Sequence, residues 1–264
     1  MMFLLLKHRD LFMQLLKRDV LMRYKGSFLG IAWSIINPLI MLIIYTFVFS
    51  VVFQARWGTA TAGTDKTEYA LLLFIGLIFH TIFSEVVTRA PGLVLGNPNY
   101  VTKVVFPLEI LSIVSLFNAL IHSLISIVIF LFAMFFITGQ IHLSIVLLPL
   151  IYMPLCFFVL GISWFISSIG VFFRDTSYFI NILVQILFFI TPIFYPVTAL
   201  PESFQPLMML NPMTGVIENA RAILFYGNLP DWIWFIKTLG ISLVIMVLGY
   251  IWFKKTKKAF ADVM

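Results

Sequence analysis

The sequence predicts an all-α polytopic membrane protein with six transmembrane helices and both ends on the cytoplasmic side. An N-terminal amphipathic interface helix and re-entrant outer helices before the last span complete the expected layout. Three observations predict it. Apolar residues make up 62% of the 264 and charged residues only 11%, where soluble domains carry roughly 25% charged residues. So few charges cannot cover a water-facing surface. Long apolar runs recur at about 31–53, 69–89, 108–137, 144–173, 177–197 and 232–253, each near or above the ~20 residues a helix needs to cross hydrocarbon. Finally, the basic residues gather on one side of those runs. Soluble-enzyme and nucleic-acid-binding classes are thereby excluded, and the lack of period-two alternation argues against a β-barrel.

Orientation follows from the basic residues in the flanks. Lys7, Arg9, Lys17, Arg18, Arg23 and Lys25 precede the first run. Arg89, Lys103 and Arg174 fall on the same side, as does the tail cluster Lys254, Lys255, Lys257 and Lys258. Arg56, Lys66, Arg221 and Lys237 are left for the other side. The positive-inside rule puts both termini in the cytoplasm, which requires an even number of spans. The third and fourth runs are long enough to tilt or protrude. Charges from Lys7 to Asp19 interrupt any signal-peptide core, so the chain is expected to keep its N-terminus and enter the inner (plasma) membrane through its first span. The single cysteine, Cys156, lies in an apolar run and cannot form an intramolecular disulfide.

Two segments outside the spans carry their own pattern. In residues 1–25, Lys7, Asp10, Gln14, Lys17 and Arg18 share one helical face, and Leu11, Phe12, Leu15, Leu16 and Val20 the other, with Arg9 and Asp19 as blemishes. Such a helix lies in the membrane interface, either as an anchor or also as a docking surface. Residues 198–231 are divided by Pro201, Pro206, Pro212 and Pro230, after Pro192 and Pro196. Two amphipathic pieces, about 203–210 and 213–226, meet at Asn211-Pro212. Irregular backbone at membrane depth must be buried in protein or line a watery cavity, so the pieces are expected to dip back from the outer face; an ordinary surface loop is the alternative.

Catalytic machinery is missing from the pattern. The sequence holds no G-x-x-x-x-G-K-[ST], H-E-x-x-H, G-x-S-x-G or G-x-G-x-x-G, and the four histidines share no metal-ligand spacing. Polar residues inside the runs are mild. Ser115, Asn118, His122 and Ser126 share a face of the third, and Asn181 and Gln185 a face of the fifth. They point to helix–helix hydrogen bonding or to a water-filled path. Glu85 and Arg89 stand four apart in the favourable order for a pair. Tyr45, Phe49 and Phe53 repeat every four residues along the first run, a stripe that suits either helix packing or the flat faces of sugar rings. No chain of buried carboxylates suggests a proton-coupled pump.

Residues 23–38 read Arg-Tyr-Lys-Gly-Ser-Phe-Leu-Gly-Ile-Ala-Trp-Ser-Ile-Ile-Asn-Pro. Phe-Phe-Arg-Asp follows at 172–175, then Thr191-Pro192-Ile193 and Asn211-Pro212. With these motifs the whole chain resembles the permease subunit of type 2 ABC exporters for polysaccharides, the O-antigen, capsule and teichoic-acid group. The resemblance implies a single permease domain over residues 1–264 that pairs as a homodimer, with the conduit at the interface. It implies two copies of a separate ATP-binding subunit, which would bind ATP and Mg, so that this chain needs no cofactor and is no enzyme. Residues 1–25 and about 95–107 would form the docking surface, with Arg23, Tyr24, Lys25, Lys103, Arg174 and Asp175 as docking and coupling residues. Tyr45, Phe49 and Phe53, with Asn181 and Gln185, would line the substrate channel. Residues 201–226, including Asn211, Pro212, Gly215, Glu218 and Arg221, would form a movable outer gate. The implied cargo is a lipid-linked polysaccharide, O-antigen first. A self-contained channel or secondary transporter is the opposing class.

Overall fold

The computed structural model describes residues 8–52, 66–102 and 106–263, and every regular element among them is helical. In chain order the helices are α1 (Arg9–Tyr24), α2 (Trp33–Tyr45), α3 (Lys66–Arg89), the short α4 (Gly92–Leu95) and α5 (Pro98–Thr102), then α6 (Glu109–Thr138) and α7 (Leu148–Phe172). There follow α8 (Thr176–Ile190), α9 (Gln205–Met209), α10 (Pro212–Leu224), α11 (Trp232–Thr256) and the short α12 (Phe260–Val263).

The expectation of six spanning helices is met in part. Among the described residues four helices are long and apolar enough to cross a membrane: Glu68–Arg89, Glu109–Thr138, Leu143–Phe172 and Trp232–Val263. The first and fifth runs give shorter apolar helices, Trp33–Phe49 and Thr176–Ile190. The fifth run, expected over 177–197, stops early for a chemical reason. Pro192 supplies no amide hydrogen and biases Thr191 to extended backbone, and Thr191 has ψ 138°. In the first run the α-helix yields at Thr46 to a π-helical stretch, Thr46–Val52. There the Thr46 hydroxyl donates back to the Leu42 carbonyl at 2.6 Å, a local competition that disturbs helical geometry.

α3 is the central column. Leu71, Leu72, Leu73, Ile75, Phe79, Ile82 and Val86 are all buried, and every residue from Ala70 to Ile75 is, so these turns meet protein on all sides. It packs on α6, α7, α8 and α10. The tightest pairing joins α7 to α11, where Gly161 and Gly249 bring backbone against backbone. A β-carbon at either glycine would overlap the other helix's main chain, the small-residue device that lets membrane helices approach closely. α6 ends where Gly139 takes φ 70°, with its amide donating to the Phe135 carbonyl at 2.9 Å.

α1 packs on α6 through the apolar face expected of it. Phe12 and Leu15 are buried, and the Phe12 and Phe117 rings meet edge to face at 5.1 Å. Asp19, a blemish in the sequence pattern, proves to be the polar centre of that contact. It accepts from Arg89 at 2.8 Å and from the Asn118 amide. At the other end of the chain, Lys257 reaches the buried Glu109 carboxylate at 3.1 Å and ties the basic tail to the start of α6.

Candidate functional site

α2, α3, α6 and α8 line a half-open cavity of about 640 Å³. Aromatic rings form part of its wall: Trp33 and Tyr45 from α2, Phe74 from α3, Phe188 and Phe189 from α8. Aliphatic side chains such as Met41, Leu77, Ile78 and Val184 fill much of the rest, and polar groups interrupt them: Ser34 and Asn37 on α2, His80, Thr81 and Ser84 on α3, His122, Ser123 and Ser126 on α6, and Gln185 on α8. The hydroxyls are already oriented. Thr81 donates to the Leu77 carbonyl at 2.7 Å, Ser84 to Thr81 at 3.1 Å and Ser126 to His122 at 3.2 Å. Their hydrogens are spent on their own helices, so the oxygens remain as acceptors. Such a wall can stack flat rings and bond hydroxyl groups together.

At the α1 end of the cavity stands a ladder of alternating charge. Arg23 of α1 donates to Glu85 of α3, and Arg89 of α3 donates to Asp19 of α1. The expected helical pair Glu85–Arg89 is present but long, at 3.8 Å; both partners prefer α1. Towards the other end, Phe49 stands 5.7 Å from the Tyr69 ring and 5.6 Å from Phe194. Phe188 meets Phe194 at 5.0 Å and His80 at 5.0 Å, so the rings run on as a continuous cluster.

The structure divides the residues singled out from sequence. Tyr45 lines the cavity, while Phe49 packs 6.2 Å from it in the ring cluster. Gln185 lines the cavity too, whereas Asn181 lies on the exposed face of α8. The polar face of α6 splits: His122 and Ser126 reach the cavity, Ser115 and Asn118 lie at the α1 contact. Arg23 turns inward to Glu85, and Lys25 is exposed. Arg174 and Asp175 are exposed and make no ion pair among the described residues. Phe53, Lys103 and the side chain of Tyr24 lie outside the described residues. Trp33, His80, Phe188 and Phe189 were not singled out by the sequence, although His80, Thr81, Ser84 and Glu85 form a polar strip in the second run that could have shown it.

The segment before α11 has a rigid centre. Asn211 caps α10, accepting from the Met213 amide at 3.0 Å, and its side-chain amide donates to Thr191; Pro212 takes the first helical position. Gly215 is pressed against the Thr238 hydroxyl of α11. Arg221 is fully buried and donates to the carbonyls of Leu72 at 3.1 Å, Pro192 at 2.8 Å and Ile193 at 2.8 Å, and to Glu218 at 2.7 Å. Burial works against its charge and lowers its pKa from the ordinary arginine value; the Glu218 carboxylate works the other way. Among the described residues no group of three His, Cys, Asp or Glu could hold a metal ion.

Apolar helices of membrane-crossing length around a polar and aromatic cavity define a class, that of multi-pass membrane transport proteins. The particular family follows from comparison. Residues 10–225 match the ABC-2 type transporter family, and the chain belongs to it. It is 28% identical over 257 residues to the O-antigen export system permease protein RfbA of Klebsiella pneumoniae, covering 97% of this chain and 95% of that one. It is 26% identical to the RfbA permease of Myxococcus xanthus, with 98% and 96% covered. It is 22% identical to the polysialic acid transport protein KpsM of Escherichia coli, with 92% of each chain covered.

Proposed function

We propose that this chain is the transmembrane subunit of an ATP-driven exporter that carries a lipid-linked polysaccharide, O-antigen first among candidates, from the cytoplasmic to the outer side of the inner membrane. Both termini are then cytoplasmic. Two copies of the chain pair around the conduit, and two copies of a separate ATP-binding subunit drive it, because the sequence offers no phosphate-binding loop. One observation carries the reading: a cavity of about 640 Å³ whose largely apolar wall holds aromatic rings together with hydroxyl, amide and imidazole groups. The names borne by the relatives support it. Pairing is supported by the outward faces of α2 and α8, where Ile40, Ile43, Phe179 and Ile182 are exposed. α1 and the 95–107 region are the proposed docking surface. Residues 201–226 are the proposed outer gate, with α9 hinged at Asn211-Pro212 against the pinned α10.

Deletion of the gene tests the reading. Surface polysaccharide is expected to vanish while lipid-linked glycan accumulates inside, and restoration is expected to need both this chain and an ATPase subunit. Unchanged surface polysaccharide would overturn it. Capsule is the second cargo, favoured by the similarity to the polysialic acid transporter.

A further inference from the structure

His80 is 5% exposed, and its ring stands 5.9 Å from Phe83 and 5.0 Å from Phe188. Its side chain nonetheless belongs to the cavity wall, and its Nε2 has no hydrogen-bond partner among the described residues. A buried imidazole nitrogen beside a cavity is costly unless something that visits the cavity satisfies it. Beside it lie Thr81 and Ser84, and from α6 Ser126, each with its hydrogen already given to a backbone carbonyl. Facing them are the rings of Trp33 and Tyr45. Among the described lining residues Arg23 is the one Lys or Arg, and Glu85 neutralises it.

Resting on the export reading, we infer that His80 is the centre of a sugar-binding subsite that takes an uncharged pyranose ring of the passing glycan. The ring's C–H face lies on Tyr45 or Trp33. One hydroxyl bonds His80 Nε2, itself buried here, once the imidazole turns toward the cavity, and its neighbours donate to the oxygens of Thr81, Ser84 and Ser126. Acidic sugars are disfavoured because no unpaired cation lines the wall to receive a carboxylate. His80 acts as a specificity-determining residue within the second span, apart from the aromatic stripe of the first.

The test uses cells deleted for the gene and complemented with variants, together with the partner ATPase. His80→Phe keeps the ring packing and removes only the nitrogens. Surface polysaccharide is expected to fall about fivefold, in line with one lost hydrogen bond, with the membrane level of the protein unchanged. His80→Gln is expected to recover at least half of the export. Full export by His80→Phe, or equal loss in both variants, would overturn the subsite. A second measurement covers poor accumulation of either variant: in a Cys156→Ala background, His80→Cys is labelled with a water-soluble maleimide. Labelling is expected to drop about threefold in cells that make the glycan, relative to cells blocked in starting it. Equal labelling would sink the proposal, as would an exported repeating unit bearing carboxylates. Loss of the gene without loss of surface polysaccharide overturns the export reading itself, and the subsite with it.

Discussion

The guanidinium of Arg221 donates to the main-chain carbonyl of Pro192 at 2.8 Å, across the break that ends α8. A second nitrogen reaches the Ile193 carbonyl at 2.8 Å. The carbonyls that follow the broken helix would otherwise be buried without donors. One side chain of α10 thus supplies the donors, and a third bond, to Leu72, anchors it to the central column.

Arg221→Leu is therefore expected to destabilise the protein by about 3–5 kcal/mol, the cost of breaking a buried ionic network by removing one partner. Thermal unfolding in detergent checks this. Arg221→Lys keeps the charge but cannot reach three divergent carbonyls and is expected to recover only part of the loss. A variant as stable as the native protein would show that the bonds contribute nothing.

The charge ladder between α1 and α3 fixes register. Sliding α1 by one turn would set Arg23 against Arg89 and leave Glu85 without its cation. Asp19→Ala and Glu85→Ala should each loosen α1, by about 1 kcal/mol given that these pairs are partly exposed. A disulfide between cysteines replacing Phe12 and Phe117, in a Cys156→Ala background, should form more slowly in both variants. The exchange Arg23→Glu with Glu85→Arg should restore the rate; failure to do so would deny the pairing.

At the α7–α11 contact, Gly249→Ala is expected to cost about 1–3 kcal/mol as the helices are forced apart, and Gly249→Val to prevent accumulation. Gly240 of α11, which has open space where its β-carbon would stand, is the control, and Gly240→Ala should be neutral or slightly stabilising.

Tyr45→Leu should lower export while leaving insertion and level intact, since Leu preserves apolarity but removes the ring from the cavity wall. Phe49→Leu should lower stability more than export, because Phe49 packs between Tyr69 and Phe194. Comparing surface polysaccharide with protein level for the two variants separates these outcomes.

The purified chain alone is expected to hydrolyse no ATP. Phosphate release above that of a detergent blank would contradict the division of labour between subunits.

Apolar run length made the long helices legible to within a few residues, since 108–137 became Glu109–Thr138 and 232–253 became Trp232–Thr256. The fifth run was overextended because its apolar character continues past Thr191-Pro192 although its backbone does not. Another proline, Pro212, correctly divided the outer segment at Asn211-Pro212. What stayed hidden depends on partners distant in sequence. Asp19 reads as a flaw until Arg89 and Asn118 close on it, and Arg221 finds its carbonyl at Leu72 149 positions away. Gly161 and Gly249 are ordinary glycines in apolar runs until the two helices are brought together.

α8 holds 15 residues, which at 1.5 Å each makes about 22 Å, against the roughly 30 Å of a hydrocarbon core. α2, on the facing wall of the cavity, holds 13 residues and runs on as the π-helical stretch to Val52. A helix shorter than the hydrocarbon is met by local thinning of the bilayer, and α8 is such a helix. The stretch of oil that separates water from water is therefore thinnest next to the polar-lined hollow. The toll on moving a hydrated chain through the membrane is lowered there by geometry alone, before any moving part acts.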